Sequence, residues 1–290
     1  MKIPILASGL SGLVGTRVVE LLDDKYDFTD LSLRTGIDIR DKEQIQDLFE
    51  NSSARIVLHM AAYTDVDGCE DEKALGEDGT CWMVNVVGTQ NMVEAAKRTN
   101  KRLIYISTDF VFDGTKDFYT EEDLPNPVNW YGYTKYEGEA KVKEAGLNYN
   151  IVRLAYPYRA SFSLKTDFVR RIIEKVTRGE EIPSLTDHIF TPTLIDDIAL
   201  ALDLLMEKDI SGVFHVVGSQ PLTPFEAVQA VFKTFRLKGK IKKVERVEYF
   251  KDRAFRPLRL ALKNDKITKL GARMHRFDDG LLEMKKQLGG

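Results

Sequence analysis

Apolar positions along the first half of this chain alternate between short continuous runs and helically spaced sets. Residues 3–7 are an apolar run, followed by the turn Gly9-Leu10-Ser11-Gly12-Leu13-Val14-Gly15. Val18, Val19, Leu21 and Leu22 then recur at helical spacing. This order predicts strand, turn and helix. Leu31-Ser32-Leu33-Arg34-Thr35 reads as the end of a second strand, 55–62 as a buried strand and 85–96 as a helix. Residues 103–107 form another buried strand, ending at Thr108, and the acidic, proline-containing loop 113–130 leads into a helix bearing Tyr131 and Lys135. Buried strands separated by helices predict an α/β fold, a doubly wound parallel sheet with helices on both faces.

After Ile151-Val152-Arg153-Leu154 the alternation loosens. Helices are predicted over 166–178 and within 192–207, the latter capped by Asp196-Asp197, and a short strand over 213–217. Thr223-Pro224 starts a further helix, with Thr223 as N-cap and Pro224 at the first helical position. The chain is therefore divided into a nucleotide-binding part, 1–152, and a smaller mixed α/β substrate-binding part, 153–290, with the chain free to cross between them. No repeats are visible.

The 290 residues carry 42 basic and 45 acidic side chains, a net charge of −3. That balance gives no field for nucleic acid or an anionic membrane surface. No apolar stretch reaches the roughly 18 residues that span a bilayer, and the N-terminus enters a strand without a charged leader. Only Cys69 and Cys81 are present, which points to a reducing, cytoplasmic setting. Free thiols are favoured over a local bridge across the acidic stretch 70–80. A homodimer is compatible with the chain. Residues 233–259 are rich in Lys and Arg. Most of the lysines read as a solvated face, while Arg256, beside Pro257, is the foremost candidate to grip a substrate diphosphate.

Tyr131 and Lys135 lie four residues apart, about one helical turn, so phenol and ammonium can share a face. A cation beside a phenol lowers its pKa, and a phenol so tuned can exchange a proton with a carbonyl or alcohol. Thr108 can add a hydroxyl donor to the same oxygen. YxxxK alone is a weak signal; its position after a strand ending in Ser107-Thr108-Asp109 strengthens it. In the glycine turn, Gly9 permits the tight bend, Gly12 lets backbone approach a pyrophosphate, and Gly15 lets the helix lie close to the strand. The helix start then offers free N–H groups to phosphate. Read to Thr35, the second strand ends in Arg34 and Thr35 and offers no terminal acid to bind a ribose 2′-hydroxyl. Arg34 can accommodate a 2′-phosphate instead, so NADP(H) is favoured over NAD(H), and Asp38, followed by Ile39, could face the adenine amino group. No metal is called for.

Together these segments resemble the extended short-chain dehydrogenase/reductase superfamily and, more narrowly, the dTDP-4-dehydrorhamnose reductase family. The resemblance rests on the GLSGLVG turn and on His59-Met60-Ala61-Ala62-Tyr63-Thr64-Asp65-Val66-Asp67. It also rests on Ser107-Thr108-Asp109-Phe110-Val111-Phe112-Asp113-Gly114, on Tyr131-Gly132-Tyr133-Thr134-Lys135, and on Arg256-Pro257 with Leu262 and Lys266. It implies a Rossmann domain that binds NAD(P)H and a C-terminal part that binds a nucleotide sugar. Tyr131 is then the proton donor, Lys135 its tuner and a ribose contact, and Thr108 the carbonyl's hydrogen-bond partner. Gly12, Leu13 and Val14 meet the pyrophosphate, and Ala61, Ala62 and Tyr63 line the cofactor. Asp109 and Tyr156 contact sugar, and Asn85 orders the active-site helix or a water. Phe110 stands in place of the family's Tyr, Tyr156 in place of its indole, and the 70–81 stretch is longer than usual. These departures bear on the sugar rather than on proton transfer. An epimerase or dehydratase of nucleotide sugars is the alternative within the scaffold, although dehydratases want a second acid where Phe110 stands. The chain is also similar to the NADP-binding regulatory beta subunit of methionine adenosyltransferase, a non-catalytic alternative.

Overall fold

The computed structural model describes residues 1–162 and 164–289. Among the described residues there are ten strands: β1 (Ile3–Ser8), β2 (Tyr26–Leu31), β3 (Ile56–His59), β4 (Arg102–Thr108), β5 (Tyr149–Leu154), β6 (Pro157–Tyr158), β7 (Ile182–Leu185), β8 (Thr193–Leu194), β9 (Gly212–His215) and β10 (Ile241–Val244). Six of them form one sheet in the order β2-β1-β3-β4-β5-β9, and every pairing in it is parallel. Two parallel pairs, β7–β10 and β6–β8, lie outside it.

Strand side chains alternate between faces, and the two faces bury different sets. Ile5, Ala7, Leu58, Ile104, Val152 and Phe214 pack under the helices Leu13–Leu22 and Ile195–Glu207. Leu6, Val57, Leu103, Tyr105 and Ile151 pack under the helices Lys42–Glu50, Thr89–Arg98 and Trp130–Glu144. The C-terminal half supplies two parts of this body. Strand β9 pairs with β5, Val213 opposite Ile151, and the Ile195–Glu207 helix lies against the first helix in a common core.

Several local expectations change. The second strand stops at Leu31, and Leu33–Thr35 is a single tight turn held by Ser32. An acid, Asp30, stands inside that strand, but its carboxylate accepts from the Ser32 hydroxyl at 2.9 Å and it does not line the ligand cavity. Asp196 and Asp197 do not cap their helix; they fall in its first turn, after Leu194. Asp196 instead accepts two hydrogen bonds from the Arg17 guanidinium at 2.7 Å, and Asp197 holds the His275 ring at 2.7 Å. The Thr223 cap forms as expected, reciprocated by Glu226. Cys69 and Cys81 are not free thiols but a disulfide. The chain between them doubles back through the Lys73–Asp78 turns, bringing the Cα atoms to 5.4 Å, within bridging range.

Candidate active site

In open parallel sheets ligands bind beyond the carboxyl ends of the strands, where the strand order reverses. Here that point lies between β1 and β3, and a cavity of about 910 Å³ opens there. Its wall includes Gly9, Ser11, Gly12, Leu13 and Val14 from the first turn, and Arg34, Asp38 and Ile39 beyond β2. Ala61, Ala62 and Tyr63 follow β3, Thr108 ends β4 and Asp109 follows it, and Tyr131, Lys135 and Tyr156 complete the wall.

Two predicted site residues lie elsewhere. Leu10 turns inward and is buried in the core between the sheet and the Leu13–Leu22 helix. Arg256 is not on the wall. Its Nη1 pairs with Asp67 at 2.8 Å and donates to the Ala254 carbonyl at 2.7 Å. Residues missed by motif reasoning also line the cavity, among them Ser32, Arg40, Phe110, Lys165 and Phe168. Phe110 was legible as a neighbour of Thr108; the others carry no pattern.

The glycine turn fits a pyrophosphate for steric reasons. Gly9 has φ +77°, and a Cβ there would stand 2.6 Å from the Ala61 nitrogen. A Cβ on Gly15 would collide with the Gly9 carbonyl and lie 2.7 Å from Leu10 Cα. Gly12 differs: a Cβ there would meet only the Gly9 oxygen, at 3.2 Å. Gly12 is thus not required by its protein neighbours, and the space above it suits a close ligand at the helix start. At the far end of the cavity two guanidiniums stand near one another in sequence. Arg34 is largely exposed and 3.5 Å from Asp30, and Arg40 grips Asp38 at 2.6 Å. The Arg40 hydrogen bonds hold the Asp38 carboxyl below its ordinary range. Asp38 and Arg40 therefore engage each other, and Arg34 is the guanidinium left largely exposed at this rim.

Tyr131 and Lys135 lie on the Trp130–Glu144 helix, started by the Asn129 side chain accepting from Gly132 N–H at 2.8 Å. Lys135 Nζ donates to the Ile106 carbonyl at 2.8 Å and sits 4.1 Å from the Tyr105 ring centre. Burial pushes this ammonium down to about 7, against the opposing pull of Glu139. Tyr131 departs from expectation: its phenol is raised, not lowered. Burial is the main cause and Asp109 adds to it, while Thr108 opposes. Lys135 faces a backbone carbonyl and a ring in this arrangement, so desolvation of the phenol prevails. Asp109 is almost fully buried. Its Oδ1 accepts from the Thr108 hydroxyl at 2.9 Å, whereas Oδ2 has no partner. Burial pushes its carboxyl up to about 7.

A polar shell fixes these residues. Asn85, in a widened helical turn (Met83–Gly88), accepts from Tyr63 N–H at 2.8 Å and donates to Thr134 at 3.0 Å. It thereby ties the β3 loop to the Tyr131 helix. His59 bridges the Ser8 and Thr89 hydroxyls at 2.7 and 3.0 Å; burial holds it neutral, its pKa pushed down to about 3. Behind Lys135, Glu139 accepts from Arg153 at 2.8 and 2.7 Å and from the Ser107 hydroxyl at 2.7 Å.

A dinucleotide-type glycine turn on a parallel sheet, with Thr, Tyr and Lys gathered at the next strand end, defines an oxidoreductase site of the short-chain dehydrogenase/reductase type. The chain belongs to the family described as "RmlD substrate binding domain", whose model matches residues 1–289. It is 30% identical over 230 residues to a probable low-salt glycan biosynthesis reductase of Haloferax volcanii, covering 75% of each chain. It is 29% identical to methionine adenosyltransferase 2 subunit beta of Rattus norvegicus, over 80% of this chain and 72% of that one. Among solved structures, dTDP-4-dehydrorhamnose reductase from Bacillus anthracis in complex with NADP superposes with a TM-score of 0.90. It is 29% identical, with 99% of this chain and 100% of that one covered.

Proposed function

We propose that this protein is an NADPH-dependent reductase of a nucleoside-diphosphate 4-keto-6-deoxyhexose, with dTDP-4-dehydrorhamnose as the first candidate substrate and dTDP-rhamnose as its product. The observation that carries the reading is the meeting of Thr108, Tyr131 and Lys135 in the cavity that the glycine turn opens. The family and the NADP-bound structural relative support it. NADPH, when bound, supplies the hydride delivered to C4 of the sugar. Gly9, Ser11, Gly12, Leu13 and Val14 would hold its pyrophosphate, Arg34 its 2′-phosphate, and Ala61, Ala62 and Tyr63 its flank. NADH is the weaker alternative, since Arg34 stands largely exposed at the rim and Asp38 is engaged by Arg40.

In this reading Tyr131 gives its phenolic proton to the oxygen that forms at C4. Thr108 positions that oxygen, and Lys135 supports the phenolate with its ammonium. Asp109 and Tyr156 face the sugar. The nucleotide sugar is the partner, and the cytoplasmic assignment rests on the reductase reading, because the Cys69–Cys81 disulfide removes the free-thiol argument for it. Among the described residues no helix is long and apolar enough to cross a membrane.

The test is nicotinamide absorbance after mixing with NADPH, or separately NADH, and enzymatically generated dTDP-4-dehydrorhamnose. Sugar-dependent oxidation that Tyr131→Phe abolishes, while NADPH still binds, supports the reductase. Retained turnover in Tyr131→Phe overturns the role of Tyr131. A second reading is favoured by the methionine adenosyltransferase relative, which covers most of the chain. A regulatory subunit would bind NADPH, leave it unoxidised with keto sugars, and co-purify with a methionine adenosyltransferase.

A further inference from the structure

We infer that Glu70 is a positioning residue for Tyr131, anchoring the start of the Trp130–Glu144 helix so that the phenol stands where it reaches the substrate carbonyl. The inference rests on the reductase reading and adds to it a residue outside the set Thr108, Tyr131 and Lys135.

The first N–H groups of a helix have no partner within it. In the Trp130–Glu144 helix two of them are taken by side chains. Gly132 N–H donates to Asn129 at 2.8 Å, and Trp130 N–H donates to Glu70 Oε2 at 2.8 Å. Asn129 is the helix's own cap and travels with it. Glu70 comes from an element 60 residues earlier, so its bond fixes the helix start against another part of the protein. A carboxylate makes a stronger bond to such a donor than a neutral acceptor does, and its charge suits the positive end of the helix dipole. Tyr131 is the next residue along.

Glu70 is itself held in place. It lies on the helix Val66–Asp71, and its Oε1 accepts from Lys73 Nζ at 2.9 Å. Cys69, beside it, is bonded to Cys81. Asp67, on the same helix, pairs with Arg256 at 2.8 Å and accepts from Ala254 N–H at 3.2 Å. The Asn129 amide joins the same C-terminal segment, donating to the Phe255 carbonyl at 2.8 Å. The Val66–Asp71 helix is thus a fixed block, and Glu70 passes its position on to the helix that carries Tyr131. With 27% of its side chain exposed, Glu70 can be replaced without opening a core cavity.

The phenol has little slack. A Cβ on Gly132 would collide with the Phe110 carbonyl, so the helix start rests directly on the turn after Thr108. The Tyr131 ring meets the Phe110 ring edge to face at 5.8 Å. Further along the helix, Thr134 accepts from Asn85 at 3.0 Å and Lys135 donates to the Ile106 carbonyl at 2.8 Å. Those bonds hold the rear of the first turn, and Glu70 holds its front. Without the front anchor the helix pivots on the rear one, which displaces Tyr131 more than Lys135.

The experiment compares the full chain as wild type, Glu70→Ala and Glu70→Gln, each with NADPH and dTDP-4-dehydrorhamnose. Glu70→Ala should lower the single-turnover rate and kcat about 10-fold or more, a 1 Å misplacement costing up to about 100-fold. KM for the sugar and Kd for NADPH should stay nearly unchanged. Glu70→Gln keeps an oxygen acceptor and should recover most of the loss. Unchanged kcat in Glu70→Ala, with or without a lower melting temperature, overturns the proposal. So does a Glu70→Gln enzyme as slow as Glu70→Ala, because charge rather than the hydrogen bond would then matter. Hydrogen exchange on the NADPH complexes needs no sugar. Peptides spanning 129–134 should exchange faster in Glu70→Ala than in wild type, and Glu70→Gln should restore their protection. That readout stands even if the wild type leaves NADPH unoxidised with this sugar, a result that would overturn the reductase reading alone. Exchange unchanged in that segment, or raised throughout the chain, overturns the positioning role.

Discussion

Glu139→Gln removes the negative member of an ion pair in which both side chains are at most 1% exposed. The Arg153 guanidinium would keep its place 4.9 Å from the centre of the Phe112 ring but lose the charge that satisfies it. Breaking a buried pair by removing one partner costs about 3–5 kcal/mol. A chain of 290 residues unfolds with an entropy of about 0.6 kcal/mol/K, so the melting temperature should fall by about 5–8 °C. Scanning calorimetry at pH 7 reads this directly. Glu139→Leu combined with Arg153→Met, which removes both charges and keeps apolar volume, should recover most of the loss. A fall of less than about 1.5 °C for the single variant would refute the argument, because Arg153 would then not depend on this carboxylate. The pair also has a sign in pH. Glu139 is held below its ordinary 4.5, burial opposing and Arg153 outweighing it. Its stabilisation is therefore complete above about 4.5 and is lost as pH falls through the lower folded value. Because Glu139 raises the Lys135 pKa, the variant should also leave Lys135 less protonated at pH 7 and bind NADPH more weakly, with recovery toward pH 6.

Asp109→Asn should be more stable than wild type at pH 8 and lose that advantage toward pH 4. The carboxyl is raised from 3.8 to about 7, so folding binds an extra proton in that window and wild-type stability falls as pH rises through it; parallel melts at the two pH values check this. Gly15→Ala should abolish NADPH binding and lower the melting temperature, because its Cβ would strike the Gly9 carbonyl, whereas Gly12→Ala should fold normally and lose only the cofactor; calorimetry with a binding titration separates them. Arg34→Ala should raise the KM for NADPH about tenfold or more, leave that for NADH nearly unchanged, and be read by NADPH oxidation. Cys69→Ala with Cys81→Ala removes a bridge of sequence separation 12 and should cost about 3 kcal/mol, measured as denaturation midpoint with and without reductant.

Much of the sheet was legible because buried parallel strands are near-continuous apolar runs. β1, β4 and the cap at Thr223 follow from composition alone. Thr108, Tyr131 and Lys135 could be named because their spacing around a strand end is constrained by one hydrogen-bonding task. Other features depend on partners distant in sequence. Asp196 and Asp197 look like caps until Arg17 and His275 are seen beside them. That Arg256 stands 2.8 Å from Asp67 could not be read from the basic stretch around it. The phenol of Tyr131 looked destined for a lower pKa, but local spacing does not report how completely the helix buries it. The Cys69–Cys81 bridge needed the turns between them, which no apolar rhythm encodes.

The pairing of the Leu13–Leu22 helix with the Ile195–Glu207 helix in one core sets a timetable for biosynthesis. The first helix leaves the ribosome about 180 residues before the segment that covers its apolar face. At about 5–20 residues per second that interval is about 10–40 seconds. Through it Val18 and Leu22, both buried in the finished protein, stay open to solvent or to a chaperone. The nascent nucleotide-binding half should therefore remain protease-sensitive until the chain passes His215, when β9 can close the sheet beside β5.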